Sequence, residues 1–169
     1  TVLEQLNASK KMPGVTADQL YVNAKIPYGF NYVDDDLDIT HANDKQGDHG
    51  SHVTGIAAGN RYIPNGDGTY SDALEAVLTQ GVAPDAQLVV MKVFGVGGGA
   101  YSADYMAAIE DAIWLNCDSV NLSLGSSTVG FTTDSENEYV NNVMASLNET
   151  DTVVCISAGN SGNWAEDSV

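Results

Sequence analysis

With 169 residues and an apolar fraction of 43 %, the chain can bury the core of one globular domain, which excludes a wholly disordered segment. Its 23 acidic residues against six basic ones leave a formal charge of −17, which repels phosphate backbones and anionic bilayers and so argues against nucleic acid as a partner. No run approaches the ~20 apolar residues of a membrane span, and the opening residues lack the basic-then-apolar pattern of a secretory signal.

Residues 1–25 read as an irregular polar lead-in to one domain over 1–169. Ile26 to Val33 has the composition of a strand, and Asp34, Asp35, Asp36 and Asp38 follow as a solvated loop. A helix is expected from His49, with Asp48 placed to cap it and Val53, Ile56 and Ala57 as its buried stripe. Gly59 and Asn60 are of the kind that close helices in the left-handed conformation. Pro64, Gly66 and Gly68 mark residues 61–81 as a surface insertion.

From Gln87 to Phe94 the residues are nearly all apolar, the signature of a strand covered on both faces and hence of a parallel sheet. Glycines 95, 97, 98 and 99 lead into a helix with Tyr105, Ile109, Ala112 and Ile113 on one side. Ser119 to Leu124 reads as a further buried strand, Val140, Val143, Met144 and Leu147 as a third helical stripe, and Thr152 to Ser157 as a closing strand. Strand and helix in alternation predict a layered α/β domain with right-handed crossovers. Cys117 and Cys155 fit either a disulfide or, as the preferred reading, two half-buried thiols at strand edges.

Four features carry candidate chemistry. In Asp48-His49-Gly50-Ser51-His52-Val53-Thr54-Gly55, two glycines within one short helix each cost about 1 kcal/mol relative to alanine, so close approach of another backbone is the simplest reason for them. His49 in the first turn can reach solvent and substrate, with His52 deeper on the same face; satisfied structural histidines or a two-histidine metal site remain alternatives. Gly95 to Ala100 formally fits a dinucleotide-binding fingerprint, but the next strand ends Asn121-Leu122-Ser123-Leu124-Gly125 without the carboxylate that would hold a ribose. Bare backbone offered to an extended peptide explains the loop equally well. Ser123-Leu124-Gly125 and Ser157-Ala158-Gly159-Asn160 each follow a strand, where α/β sheets bind ligands, and Asn160 can aim its amide at an oxyanion.

Taken together and in order, His49 to Gly55, Gly81-Val82-Ala83-Pro84, Ser119 to Gly125 and Ser157 to Gly162 resemble the subtilisin family of serine peptidases along about residues 25–165. Lys25-Ile26-Pro27-Tyr28 and the long insertion after the histidine helix are similar to the cell-envelope subtilases of Gram-positive bacteria, the lactocepin and C5a-peptidase type. The resemblance implies a three-layer fold with a mainly parallel sheet, present only in part, and an extracellular enzyme, secreted or anchored to the wall. It assigns His49 as general base and Asn160 as oxyanion donor. Gly97, Gly98 and Gly99 would face Ser123, Leu124 and Gly125 across the substrate, Tyr101 bordering a subsite. Ser157, Ala158 and Gly159 would line the pocket for the residue before the scissile bond, leaving room for large apolar side chains. His52 would be structural.

The resemblance also implies pieces not in this sequence. The triad aspartate is expected on a strand upstream, the serine downstream of Val169, and Asp34 to Asp36, Ser51 and Ser161 are poor substitutes. The chain is therefore expected to be an internal, inactive piece whose partners are the remaining segments of its enzyme. The missing strand would lie between those of Gln87 to Val93 and Ser119 to Leu124, leaving a gap that the chain alone cannot close. No cofactor is required, though relatives often bind calcium where Asn65, Asp67, Thr69 and Asp72 lie; a solvated turn is the alternative. A catalytically dead relic serving as a binding module is the competing function.

Overall fold

The computed structural model describes residues 1–45, 47–59, 61–73, 75–125 and 135–157. Twelve elements follow in chain order: α1 (Val2–Gln5), α2 (Asn7–Lys11), α3 (Ala17–Leu20), β1 (Tyr28–Asn31), α4 (His49–Ala58), β2 (Tyr62–Pro64), β3 (Tyr70–Asp72), β4 (Val89–Lys92), α5 (Ser102–Trp114), β5 (Ser119–Leu122), α6 (Ser135–Asn148) and β6 (Val153–Ile156). β1 pairs in parallel with β4, and β5 in parallel with β6, while β2 and β3 form an antiparallel hairpin within the insertion. Helices with parallel strand pairs make this a partial α/β fold. Among the described residues no pairing joins β4 to β5.

α5 holds the two parallel pairs together. One side of it, through Ala107 and Ala108, joins a core with Phe30, Tyr32, Leu6 and Leu20, against which Val89 and Met91 of β4 pack. The other, through Met106 and Ile109, joins Val143 and Leu147 of α6, with Leu122 and Val154 packed on them. Each fully buried side chain of this size contributes roughly 1.5 to 3 kcal/mol of apolar transfer. Sequence periodicity shows only one stripe, and Met106, Ala107 and Ala108 lie outside it; two cores on two sides of one helix are the reason they are buried.

The lead-in, expected to be irregular, holds three short helices that cover one side of α5 and β1. Asp111, fully buried on α5, explains their attachment: its carboxylate accepts from the backbone N–H groups of Asn7 (2.6 Å) and Ala8 (3.0 Å), the start of α2, and from the Tyr32 hydroxyl (2.7 Å). The Tyr28 and Tyr32 hydroxyls are 2.7 Å apart, extending the chain of polar contacts into β1. Burial pushes the Asp111 carboxyl above its ordinary range even though these donors pull it down.

Several local expectations are corrected. The strands are shorter than the apolar runs, and β4, β5 and β6 are only half covered rather than buried on both faces. In β5 the pleat is the reason: Leu122 points into the α5–α6 core, whereas Asn121 lines a cleft on the opposite face. Asp48 is the N-cap residue of α4 but makes no side-chain cap bond, and Gly59 ends the helix in an extended conformation at φ −73°. Glycine is required there for another reason, since a Cβ would stand 2.7 Å from the Gly55 carbonyl oxygen. Val53 is half-buried and Ala57 exposed, Ile56 is 56 % exposed, and Ala58 is the buried residue, because the stripe faces the cleft. Both cysteines are free, Cys117 half-buried and Cys155 exposed.

Candidate active site

The histidine helix is fixed at both ends. At its C-terminal end Gly81, Val82 and Ala83 donate backbone hydrogen bonds to the carbonyls of Gly59 (3.0 Å), Ile56 (2.9 Å) and Ala57 (2.8 Å). Gly81 is buried against this backbone, and a Cβ there would lie 2.5 Å from the Ala58 nitrogen, so the close approach suspected for the helix falls on Gly81 and Gly59. A Cβ at Gly50 or Gly55 would meet nothing within 4 Å among the described residues. Ahead of the helix, the Lys92 ammonium on β4 pairs with Asp44 at 2.8 Å, both side chains largely buried, and donates to the Thr40 carbonyl at 2.8 Å. The segment that leads into His49 is thereby tied to the sheet.

His49 opens α4 with its side chain exposed. His52 is exposed as well rather than deeper. Ser51 lies 3.1 Å from a ring nitrogen of His41, a surface contact of two exposed side chains. Further along the face that His49 opens, α4 contributes Val53, Ile56 and Ala57 to a cleft of about 230 Å³ whose remaining lining is Val82, Asn121 and Ser123. Helix α4, the β5–β6 pair and the α5–α6 layer therefore stack in that order.

At the carboxyl ends of β5 and β6 the two predicted walls meet. Ser157 donates through its hydroxyl to the Leu124 carbonyl at 2.7 Å, and its N–H donates to the Leu122 carbonyl at 3.1 Å. Asn121 donates from its side-chain amide to the Ser123 hydroxyl at 2.9 Å, and Gly125 is exposed with open space around its Cα. Ala158, Gly159 and Asn160 lie outside the described residues.

The glycine loop after β4 turns sharply, Gly98 donating to the Gly95 carbonyl at 2.8 Å with φ +79°, a conformation that favours glycine. Gly97 and Gly99 are exposed, and Tyr101 beside them is 66 % exposed. At its entry the Asp34 carboxylate accepts from the Val96 N–H at 3.1 Å and lies where a Cβ of Gly95 would come within 2.8 Å of both its oxygens. A carboxylate there would repel a pyrophosphate, which removes the dinucleotide reading. Asn31, 1 % exposed, holds Asp34 in place; in sequence Asn31 is only a residue of the predicted strand and Asp34 only part of an acidic run.

Among the described residues no group of three or more histidine, cysteine or carboxylate side chains could hold a metal. In the hairpin Asn65 accepts from Ser71 at 2.8 Å, Asp67 from the Thr69 N–H at 2.9 Å, and Asp72 pairs with Arg61 at 2.7 Å. No helix among the described residues is long and apolar enough to cross a membrane.

The Subtilase family model matches residues 14–168. The chain is 43 % identical over 147 residues to the PII-type proteinase of Lactococcus lactis subsp. cremoris and 42 % identical over 147 residues to that of Lacticaseibacillus paracasei, 84 % of this chain and 7 % of each relative. It is 36 % identical over 129 residues to the C5a peptidase of Streptococcus pyogenes serotype M6, 76 % of this chain and 10 % of that protein. The chain thus spans no more than a tenth of the length of these curated relatives. With a family match over nearly all its residues, and with a histidine helix set beside the ends of parallel strands, the chain belongs to the subtilase family.

Proposed function

We propose that this chain is part of a serine endopeptidase that hydrolyses peptide bonds in proteins, supplying the histidine of a Ser-His-Asp triad while the acid and the serine come from other segments of the same enzyme. The observation that carries the reading is the setting of α4, which opens with an exposed His49 and shares a cleft with Ser123 in a chain of the subtilase family. In the reaction the serine oxygen attacks the substrate carbonyl carbon as His49 accepts its proton, and the carbonyl electron pair moves onto oxygen, where Asn160 donates a hydrogen bond. Collapse of that intermediate breaks the C–N bond, and the departing amine takes the proton from His49. Water then repeats the sequence on the acyl-enzyme.

Gly97 to Gly99 and Ser123 to Gly125 take the substrate between them as an added strand, and Ser157 to Gly159 line the pocket before the scissile bond. The acid-bearing strand belongs between β4 and β5, which sit in separate pairs with their own partners on one side. The enzyme acts outside the cell, secreted or held at the wall, a reading supported by the likeness to the PII-type proteinase and the C5a peptidase.

Full-length enzyme should hydrolyse casein and label with a fluorophosphonate. His49→Ala should lower kcat about 10⁶-fold and Asn160→Ala about 10² to 10³-fold. Undiminished labelling of His49→Ala would remove the histidine from the mechanism, and failure of the unsubstituted enzyme to label would leave an inactive binding module.

A further inference from the structure

The tip of the glycine loop has little side-chain packing of its own among the described residues, since a Cβ at Gly97 would meet none of them within 4 Å. Something else must hold it still if its backbone is to pair with a peptide. Its entry is held by Asp34, whose carboxylate Oδ2 accepts at once from the Val96 N–H (3.1 Å) and from the Asn31 side-chain amide (2.9 Å). Asn31 in turn accepts on Oδ1 from the backbone N–H groups of Val33 (3.2 Å) and Asp34 (3.1 Å), which locks the turn that carries the carboxylate. That turn is closed by reciprocal backbone bonds between Asn31 and Asp36 at 3.0 and 3.3 Å, and Asp35 within it has φ +56°. Asn31 belongs to β1 in register with Lys92, so the chain of contacts runs from the buried sheet to the loop without a free joint. The exit of the loop is anchored by the same turn, because the Lys11 ammonium joins Asp35 (3.1 Å) to Asp104 (2.8 Å) in the first turn of α5.

We propose that Asp34 is a positioning residue for peptide binding: seated on Asn31, it fixes the entry of the glycine loop so that Gly97 to Gly99 present their backbone to substrate in a single register. The inference deepens the protease reading and rests on it for the identity of what binds. It differs from the loop's own role, since Asp34 is turned toward Gly95 and Val96, and it acts through the loop. A carboxylate suits the place because one of its oxygens can accept two donors at once, and the bond to Val96 is charge-assisted.

The test uses full-length enzyme with Asp34→Ala and Asp34→Asn, a long peptide substrate reaching four residues before the scissile bond, and a short ester that does not reach the loop. Losing one hydrogen bond to a charged group should raise KM for the long peptide about tenfold in Asp34→Ala. The kcat for both substrates and KM for the ester should be unchanged, and Asp34→Asn, which keeps a neutral acceptor, should restore most of the long-peptide KM. Amide hydrogen exchange of Val96 to Gly99 should quicken in Asp34→Ala, a readout independent of catalysis. Equal effects on long and short substrates, a fall in kcat alone, or unchanged loop exchange in Asp34→Ala would overturn the proposal. If Asp34→Ala fails to fold, Asp34→Asn carries the same measurements, with loop exchange between native and fully released values as the supporting result and no change as the refuting one. An enzyme that never labels with a fluorophosphonate refutes the protease reading, and the exchange measurement still judges the clamp.

Discussion

Replacing Asp111 by alanine should loosen the N-terminal helices from α5 and cost the fold about 3 kcal/mol. Three donors converge on this carboxylate, from Asn7, Ala8 and Tyr32, and none is left with solvent as an easy substitute at Ala8 or Tyr32, both buried. A buried donor without a partner costs about 1 to 3 kcal/mol; the Tyr32 hydroxyl can turn to that of Tyr28 at 2.7 Å, so taking the part-buried Asn7 amide at the low end and that of Ala8 near the middle gives a loss of about 3 kcal/mol. For a domain of this size that loss should lower Tm by roughly 6 to 12 °C. The pH dependence has a definite sign. Because burial raises the folded-state pKa above its ordinary value, the proton is held more tightly in the native state. This group's contribution is therefore most favourable below the unfolded value and declines as pH rises through the raised one; Asp111→Asn should abolish that decline. Urea unfolding between pH 3 and 7, with hydrogen exchange of residues 1–20, is the assay. An alanine variant with unchanged midpoint and unchanged protection of α2 would refute the reasoning.

Gly81→Ala should destabilise the histidine helix, since its methyl would meet the Ala58 nitrogen at 2.5 Å and no flexible side chain can give way. Overpacking of this kind costs about 1 to 3 kcal/mol, and denaturant midpoints together with exchange at Val82 and Ala83 check it. Lys92→Met should cost about 3 to 5 kcal/mol by leaving Asp44 buried without its cation, and a Lys92→Met, Asp44→Leu double variant should recover most of that in the same unfolding assay.

The alternation of strand and helix was legible because apolar runs and glycine punctuation survive any tertiary context, and His49 and the ends of β5 and β6 fall where the pattern puts them. What could not be read was which faces are covered. The stripe Val53, Ile56 and Ala57 has the spacing of a core face, but it lines a cleft with Val82, Asn121 and Ser123. Asn31 and Asp111 escaped notice, and Asp34 reads only as part of an acidic loop, for a different reason. Their partners lie up to 104 residues away, as for Asn7 and Asp111, and a carboxylate that accepts from distant backbone donors looks in sequence like any solvated one. Gly59 and Gly81 illustrate the same limit: each is glycine because of another backbone, not because of its own dihedral angles.

In a chain this acidic, cations act as scarce rivets. Lys11 draws the lead-in, the turn at Asp35 and the start of α5 to one point; Arg61 grips Asp72 at 2.7 Å and Asp85 at 2.6 Å; Lys25 donates to the carbonyl of Pro84 at 2.6 Å; and Lys92 secures Asp44. Four of the six basic residues thus bridge stretches of chain well separated in sequence. Added electrolyte would act in two directions at once, quieting repulsion among the crowd of carboxylates while weakening the rivets that face water, so that the buried Lys92 pair becomes the fastening that brine leaves intact.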